Sequence, residues 1–85
     1  MASYELRFKK SAVKDFERIP REMVARILRA CQGLAENPWP RCCQKLGVGS
    51  AFRLRVGSYR ISYQVNEQTV TVIAVAHRRE AYRNR

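Results

Sequence analysis

Apolar and polar residues alternate most regularly over residues 52–65, FRLRVGSYRISYQV. Phe52, Leu54 and Val56 alternate with Arg53 and Arg55. Tyr59, Ile61, Tyr63 and Val65 alternate with Arg60, Ser62 and Gln64. A period of two predicts two half-buried strands. Gly57-Ser58 lies between them, and Gly followed by Ser is a two-residue hairpin signal. That loop length fixes a register: Val56 opposite Tyr59, Arg55 opposite Arg60, Leu54 opposite Ile61, Arg53 opposite Ser62. One face is then apolar, and the other gathers Arg53, Arg55, Arg60 and Ser62.

The rest of the chain supplies what the hairpin needs to bury its apolar face. Tyr4, Leu6 and Phe8 alternate with Glu5 and Arg7, predicting a short first strand. Ser11 suits a helix N-cap, and Ala12, Val13, Phe16 and Ile19 follow at helical spacing. Asp15 falls in the early turns, where a carboxylate suits the helix dipole. Pro20 ends this helix or opens the next. Val24, Ile27, Leu28, Cys31 and Leu34 recur at three- and four-residue steps, predicting a second helix over 21–35. Helices joined this tightly are expected to form an antiparallel hairpin. Trp39, between Pro38 and Pro40, either offers a stacking platform or caps a small core. Residues 41–50, with Gly47 and Gly49, read as loop, with Leu46 inward and Lys45 available to an anion. Asn66-Glu67-Gln68 makes a second turn. Residues 70–76, VTVIAVA, are nearly continuously apolar, as a central strand covered on both faces would be.

The expected class is therefore α+β. An N-terminal strand and an α-helical hairpin precede a three-stranded antiparallel meander, giving a small, mostly antiparallel sheet with the helices on one face. Eighty-five residues imply one domain, 1–85, and a modest core that hides about 60–65% of the unfolded surface.

Charge changes this picture. Seventeen Lys and Arg stand against seven Asp and Glu, a net +10, which points to a polyanionic partner. No run of about 18 apolar residues predicts a membrane span, and no Lys-rich amphipathic helix predicts a membrane surface. The N-terminal MASYELRFKK lacks the apolar region of a signal peptide, and three cysteines are no disulfide framework, so a cytoplasmic setting is expected. Adjacent Cys42 and Cys43 and a single histidine do not have metal-ligand spacing, and neither metal nor cofactor is implied. Cys31 reads as core.

Three arginines on one small sheet face oppose stability, since facing like charges repel by a few tenths to roughly 1 kcal/mol. An anionic ligand would reward the crowding. The guanidinium fork donates two parallel hydrogen bonds to phosphate. The bland alternative is a solvated basic face on a basic protein.

These motifs, in this order, resemble the RelE/ParE superfamily of toxins from type II toxin–antitoxin modules. The resemblance rests on Ser11-Ala12-Val13-Lys14-Asp15-Phe16, on Leu34-x-x-Asn37-Pro38, on Lys45-Leu46, on Phe52-Arg53-Leu54-Arg55-Val56-Gly57-x-Tyr59-Arg60 with Tyr63, and on His77-Arg78-x-x-x-Tyr82. It implies a RelE-like fold and, in the RelE branch, a ribosome-dependent endoribonuclease that cuts mRNA in the A site without a metal. The mRNA 2′-hydroxyl attacks the adjacent phosphorus, leaving a 2′,3′-cyclic phosphate and a 5′-hydroxyl. The ParE branch inhibits DNA gyrase and lacks the nuclease residues. Matched motif to motif, the RelE-type catalytic positions fall on Arg53, Arg55, Arg60, Arg78 and Tyr82. Lys45, Arg53, Arg55, Arg79 and Arg83 are expected to contact RNA. Implied partners are the ribosome and mRNA, a cognate acidic antitoxin, and operator DNA through the antitoxin complex.

This chain departs from the pattern at the general base. Some relatives carry lysines where Arg53 and Arg55 stand, and arginines stay protonated. His77 is the one side chain whose ordinary pKa suits proton transfer near neutrality, which makes it a candidate base or acid. Two other readings stay open: a gyrase-directed inhibitor and a non-catalytic RNA-binding module.

Overall fold

The computed structural model describes residues 3–47 and 49–77. The elements run β1 (Glu5–Phe8), α1 (Lys10–Phe16), α2 (Arg21–Glu36), β2 (Gln44–Lys45), β3 (Ala51–Val56), β4 (Tyr59–Asn66) and β5 (Thr69–His77). The strands form one sheet in the order β1-β5-β4-β3-β2. The expected β3–β4 register is observed pair for pair, from Val56 opposite Tyr59 to Arg53 opposite Ser62. Gly57 opens the turn at a φ of 60°, which a two-residue hairpin loop requires and glycine adopts without cost.

The sheet differs from the expectation in two respects. It has five strands rather than four, because residues 44 and 45 pair with β3. Two residues are too few to show a period, so this strand reads as loop. The sheet is also mixed: β1 runs parallel to β5, with Leu6 opposite Val70 and Phe8 opposite Val72. The connection from β1 to β5 runs through both helices and β2, β3 and β4, far longer than the crossover a parallel pair needs.

Both helices lie on the apolar face. α1 lies along β5, while α2 touches β1, β5 and β3, so each packs on the sheet more than on the other. Pro20 is the residue before α2 and opens it. Ile27, Cys31 and Leu34 of α2 meet Leu54, Ile61, Tyr63, Val70, Val72 and Val75 in the core. Tyr63 is fully buried and its hydroxyl donates to the Pro38 carbonyl at 2.7 Å. Its ring stacks on Phe52 at 5.8 Å, and Trp39 stands edge-on to Phe52 and Tyr4 at 6.4 and 6.0 Å. Trp39 thus borders the core on the helical side of the sheet.

Ser11 does not cap α1. Lys9 holds the N-cap position without a side-chain bond, and the Ser11 hydroxyl donates to the Ile73 carbonyl at 2.5 Å. Asp15 likewise reaches β5, accepting from the Val75 N–H at 2.8 Å. Between these two bonds β5 carries a bulge: Tyr63 opposes Val72 but Ser62 opposes Ala74, leaving Ile73 as the extra residue. This explains the long apolar run that suggested a strand covered on both faces. No described helix covers the other face. Val70, Val72 and Val75 all point into the core because the parity changes at Ile73. Side-chain pattern alone chooses weakly here, since a regular strand would bury Ala74 and Ala76 in place of Val75, a difference of roughly 1–2 kcal/mol in buried methyl groups.

Candidate functional site

Period-two alternation carries Arg53 and Arg55 of β3 and Arg60 of β4 to the sheet face turned away from the helices. Together with Cys42 and Gln44 they line a shallow depression of about 450 Å³. Arg55 stands directly opposite Arg60, and Arg53 opposite Ser62. Arg53 is held by β2, donating from Nη2 to the Gln44 Oε1 at 2.8 Å. Among the described residues, no carboxylate lines the depression. Ala76 opposes Arg60 and Ala74 opposes Ser62, so beside these two residues β5 adds only methyl groups.

Of the residues expected to act together, the structure brings together Arg53, Arg55 and Arg60. Lys45 is set apart. It pairs with Phe52, whose parity belongs to the core side, whereas Gln44 pairs with Arg53 and lines the depression. His77 is also set apart. It pairs with Tyr59 on the helical face, where the rings meet edge-on at 5.1 Å. There His77 lines a separate cleft of about 200 Å³ with Asp15, Arg18, Ile19, Tyr59 and Val75. The sheet stands between His77 and the arginines. Arg78, Arg79, Tyr82 and Arg83 lie outside the described residues.

Sequence reasoning missed Gln44, Cys42, Ala74 and Ala76. The first two enter the site through the two-residue β2, and the alanines through the bulge, neither of which has a local signature. The shifted protonation equilibria lie away from this face. Burial pushes the Cys31 thiol up to about 12. Burial, and then the neighbouring Cys43, push the Tyr63 hydroxyl well above the ordinary phenol range.

Residues 6–82 match the family model of the ParE toxin of type II toxin–antitoxin system, parDE. The chain belongs to this family of toxins. Relatives place it near the RelE branch of the RelE/ParE superfamily. The toxin is 34% identical over 80 residues to Toxin RelE3 of Methanocaldococcus jannaschii, covering 88% of this chain and 91% of that protein. Its fold matches the toxin–antitoxin complex RelBE2 from Mycobacterium tuberculosis with a TM-score of 0.80 and 28% identity, over 91% of this chain and 93% of that one. It matches the archaeal RelE–RelB complex from Pyrococcus horikoshii with a TM-score of 0.80 and 28% identity, over 89% and 96%.

Proposed function

We propose that this toxin is a ribosome-dependent mRNA endoribonuclease that stops translation by cutting in the A site and is neutralised by a cognate acidic antitoxin. The observation that carries this reading is the sheet face on which Arg53, Arg55 and Arg60 line one depression with Gln44 and Cys42. Such a face suits an RNA phosphate that gains negative charge during reaction. The kinship to RelE toxins supports the same reading.

The reaction needs no metal. The mRNA 2′-hydroxyl gives up its proton to water as its oxygen bonds to the adjacent phosphorus, the bond from phosphorus to the 5′-oxygen breaks, and that oxygen takes a proton from water, leaving a 2′,3′-cyclic phosphate and a 5′-hydroxyl. Arg55 and Arg60, facing each other across the hairpin, hold the scissile phosphate and stabilise the phosphorane. Arg53, oriented by Gln44, holds a neighbouring phosphate. By resemblance, Arg78 adds charge stabilisation at the leaving oxygen and Tyr82 stacks on a base. Arg79 and Arg83 extend the RNA contact. The arginines do not accept the 2′-proton, and His77 faces the other way. Catalysis by this chain is therefore assigned mainly to electrostatics and to holding the RNA in line.

Primer extension on an mRNA translated in a cell-free system, with the parent beside Arg60→Ala, tests the proposal. Cuts within codons that require translating ribosomes and vanish in the variant are expected. The match to the ParE family favours one second reading, a gyrase inhibitor for which the arginine face is a docking surface. Trapped gyrase–DNA breaks without mRNA cuts would select it.

A further inference from the structure

The extra residue in β5 decides what stands beside the arginines. From the pair Tyr63–Val72 a regular strand would continue with Ile73 opposite Ser62 and Val75 opposite Arg60. In the structure Ala74 opposes Ser62 and Ala76 opposes Arg60 instead. The difference is between two branched side chains and two methyl groups on the floor of the arginine face. It also decides whether His77 meets Tyr59, as it does, or slides past it.

Burial pattern settles this choice only weakly, because residues 72–76 are apolar at every position. The backbone bonds settle it. A bulge leaves ladder groups without strand partners, and buried peptide groups must be paired. Ser11 and Asp15 are four residues apart and therefore share one face of α1. The Ser11 hydroxyl donates to the Ile73 carbonyl at 2.5 Å, and the Asp15 carboxylate accepts from the Val75 N–H at 2.8 Å. Just before the bulge, the Lys9 N–H donates to the Val72 carbonyl at 2.9 Å. α1 is thus fastened, from its N-cap to its last turn, to each side of the extra residue.

We propose that Ser11 and Asp15, which lie across the sheet from the arginines, are positioning residues: by holding the Ile73 bulge they keep Ala74 and Ala76, rather than Ile73 and Val75, beside Ser62 and Arg60. They touch none of Arg53, Arg55 and Arg60; Asp15 instead pairs with Arg18 at 3.7 Å on the helical side. With the bulge held, the depression stays open beside Arg60. With the strand slipped by one residue, branched side chains fill its edge and phosphate is kept from the guanidinium. The effect on cleavage rests on the nuclease reading above; the effect on strand register does not.

Two readouts on the intact chain test this. The first is NMR of the Val75 amide and of the Tyr59–His77 ring contact. In the parent, the Val75 amide exchanges slowly and the rings show mutual cross-relaxation. A fast-exchanging Val75 amide in the parent would overturn the clamp before any variant is made. In the double variant Ser11→Ala/Asp15→Ala both signatures are lost, while Asp15→Asn, whose amide oxygen still accepts, keeps them. The second readout is cleavage in the translation extract, expected to fall at least about tenfold in the double variant and to stay near the parent level in Asp15→Asn. Deleting Ile73 from the double variant removes the residue that needs holding. It restores the alanines opposite Ser62 and Arg60, and with them the ring contact and cleavage.

A double variant that keeps its ring contact overturns the proposal, as does one that loses the contact but cleaves normally. Should the double variant not fold, Ser11→Ala and Asp15→Ala are compared singly against Asp15→Asn by the same two readouts. A parent chain that cleaves no mRNA would sink the nuclease reading, yet the NMR comparison would still decide whether Ser11 and Asp15 set the register.

Discussion

Arg55 stands directly opposite Arg60 in the β3–β4 ladder, and among the described residues no carboxylate lines the depression they share. Directly opposed like charges weaken a sheet by a few tenths to about 1 kcal/mol. Arg55→Gln is therefore expected to raise the melting temperature by about 2–5 °C at low salt, and by less at high salt, while lowering mRNA cleavage. Differential scanning calorimetry at two ionic strengths, beside primer extension, checks both halves. A loss of stability on removing Arg55 would mean that the pair is compensated by groups not on this face.

His77→Gln is expected to cleave translated mRNA within about threefold of the parent, since the imidazole lies across the sheet from Arg60. A loss of about a hundredfold or more, the size of a general acid–base contribution, would return His77 to the chemistry.

Tyr63→Phe is expected to cost about 1–2 kcal/mol in urea unfolding. It keeps the stacked ring but removes the hydroxyl that donates to the buried Pro38 carbonyl at 2.7 Å. Cleavage per folded molecule should not change. A neutral result would mean that water replaces the hydroxyl there.

Stability should fall as pH rises above about 9. Cys31 moves from 9.0 to about 12 on folding, and Tyr63 is raised as well. Both are neutral when protonated, so above their unfolded pKa values the unfolded chain releases protons that the folded chain retains. Each group then contributes a downward slope approaching about 1.4 kcal/mol per pH unit. Urea midpoints between pH 8 and 11 measure it, and Cys31→Val should delay the onset towards pH 10. An unchanged slope in that variant would remove Cys31 from the account.

Glu67 occupies the β4–β5 turn at a φ of 50°, a left-handed conformation that costs a side-chain residue about 1–2 kcal/mol. Glu67→Gly relieves that strain and frees the unfolded chain, for a net gain of about 0.5 kcal/mol. Chemical denaturation checks the sign. A net loss would show that the Glu67 side chain earns its place in the turn.

The hairpin was legible to the residue, because a period of two and a two-residue turn leave one register. Arg53, Arg55 and Arg60 followed from it, and the Ile27, Cys31 and Leu34 stripe followed from helical spacing. Val13 and Leu28 fit the same spacing but lie outside the core, Val13 being half exposed, because a helix packed on one sheet face buries a narrower stripe than the periodicity marks. β2 was illegible for want of length. The end of β5 was illegible for another reason. Its parity is written in the side chains of Ser11 and Asp15, some sixty residues away in the chain. Reading Ser11 as a cap and Asp15 as a dipole partner followed local rules that the tertiary contact overrides. His77 fell on the unexpected face through the same bulge.

The parallel pairing of β1 with β5 also has a consequence for biosynthesis. Among the described strands, β1 finds its neighbour only in β5, with Glu5 opposite Thr69 and Phe8 opposite Val72. Contacts this remote in sequence form late. Until Thr69–His77 has left the ribosome, β1 lacks its neighbour, β4 has only β3 beside it, and α1 has no strand to lie on. A nascent toxin is thus unable to assemble its active form while the strand between its first and fourth remains unmade. The order of the strands delays assembly of the sheet until β5 has been made.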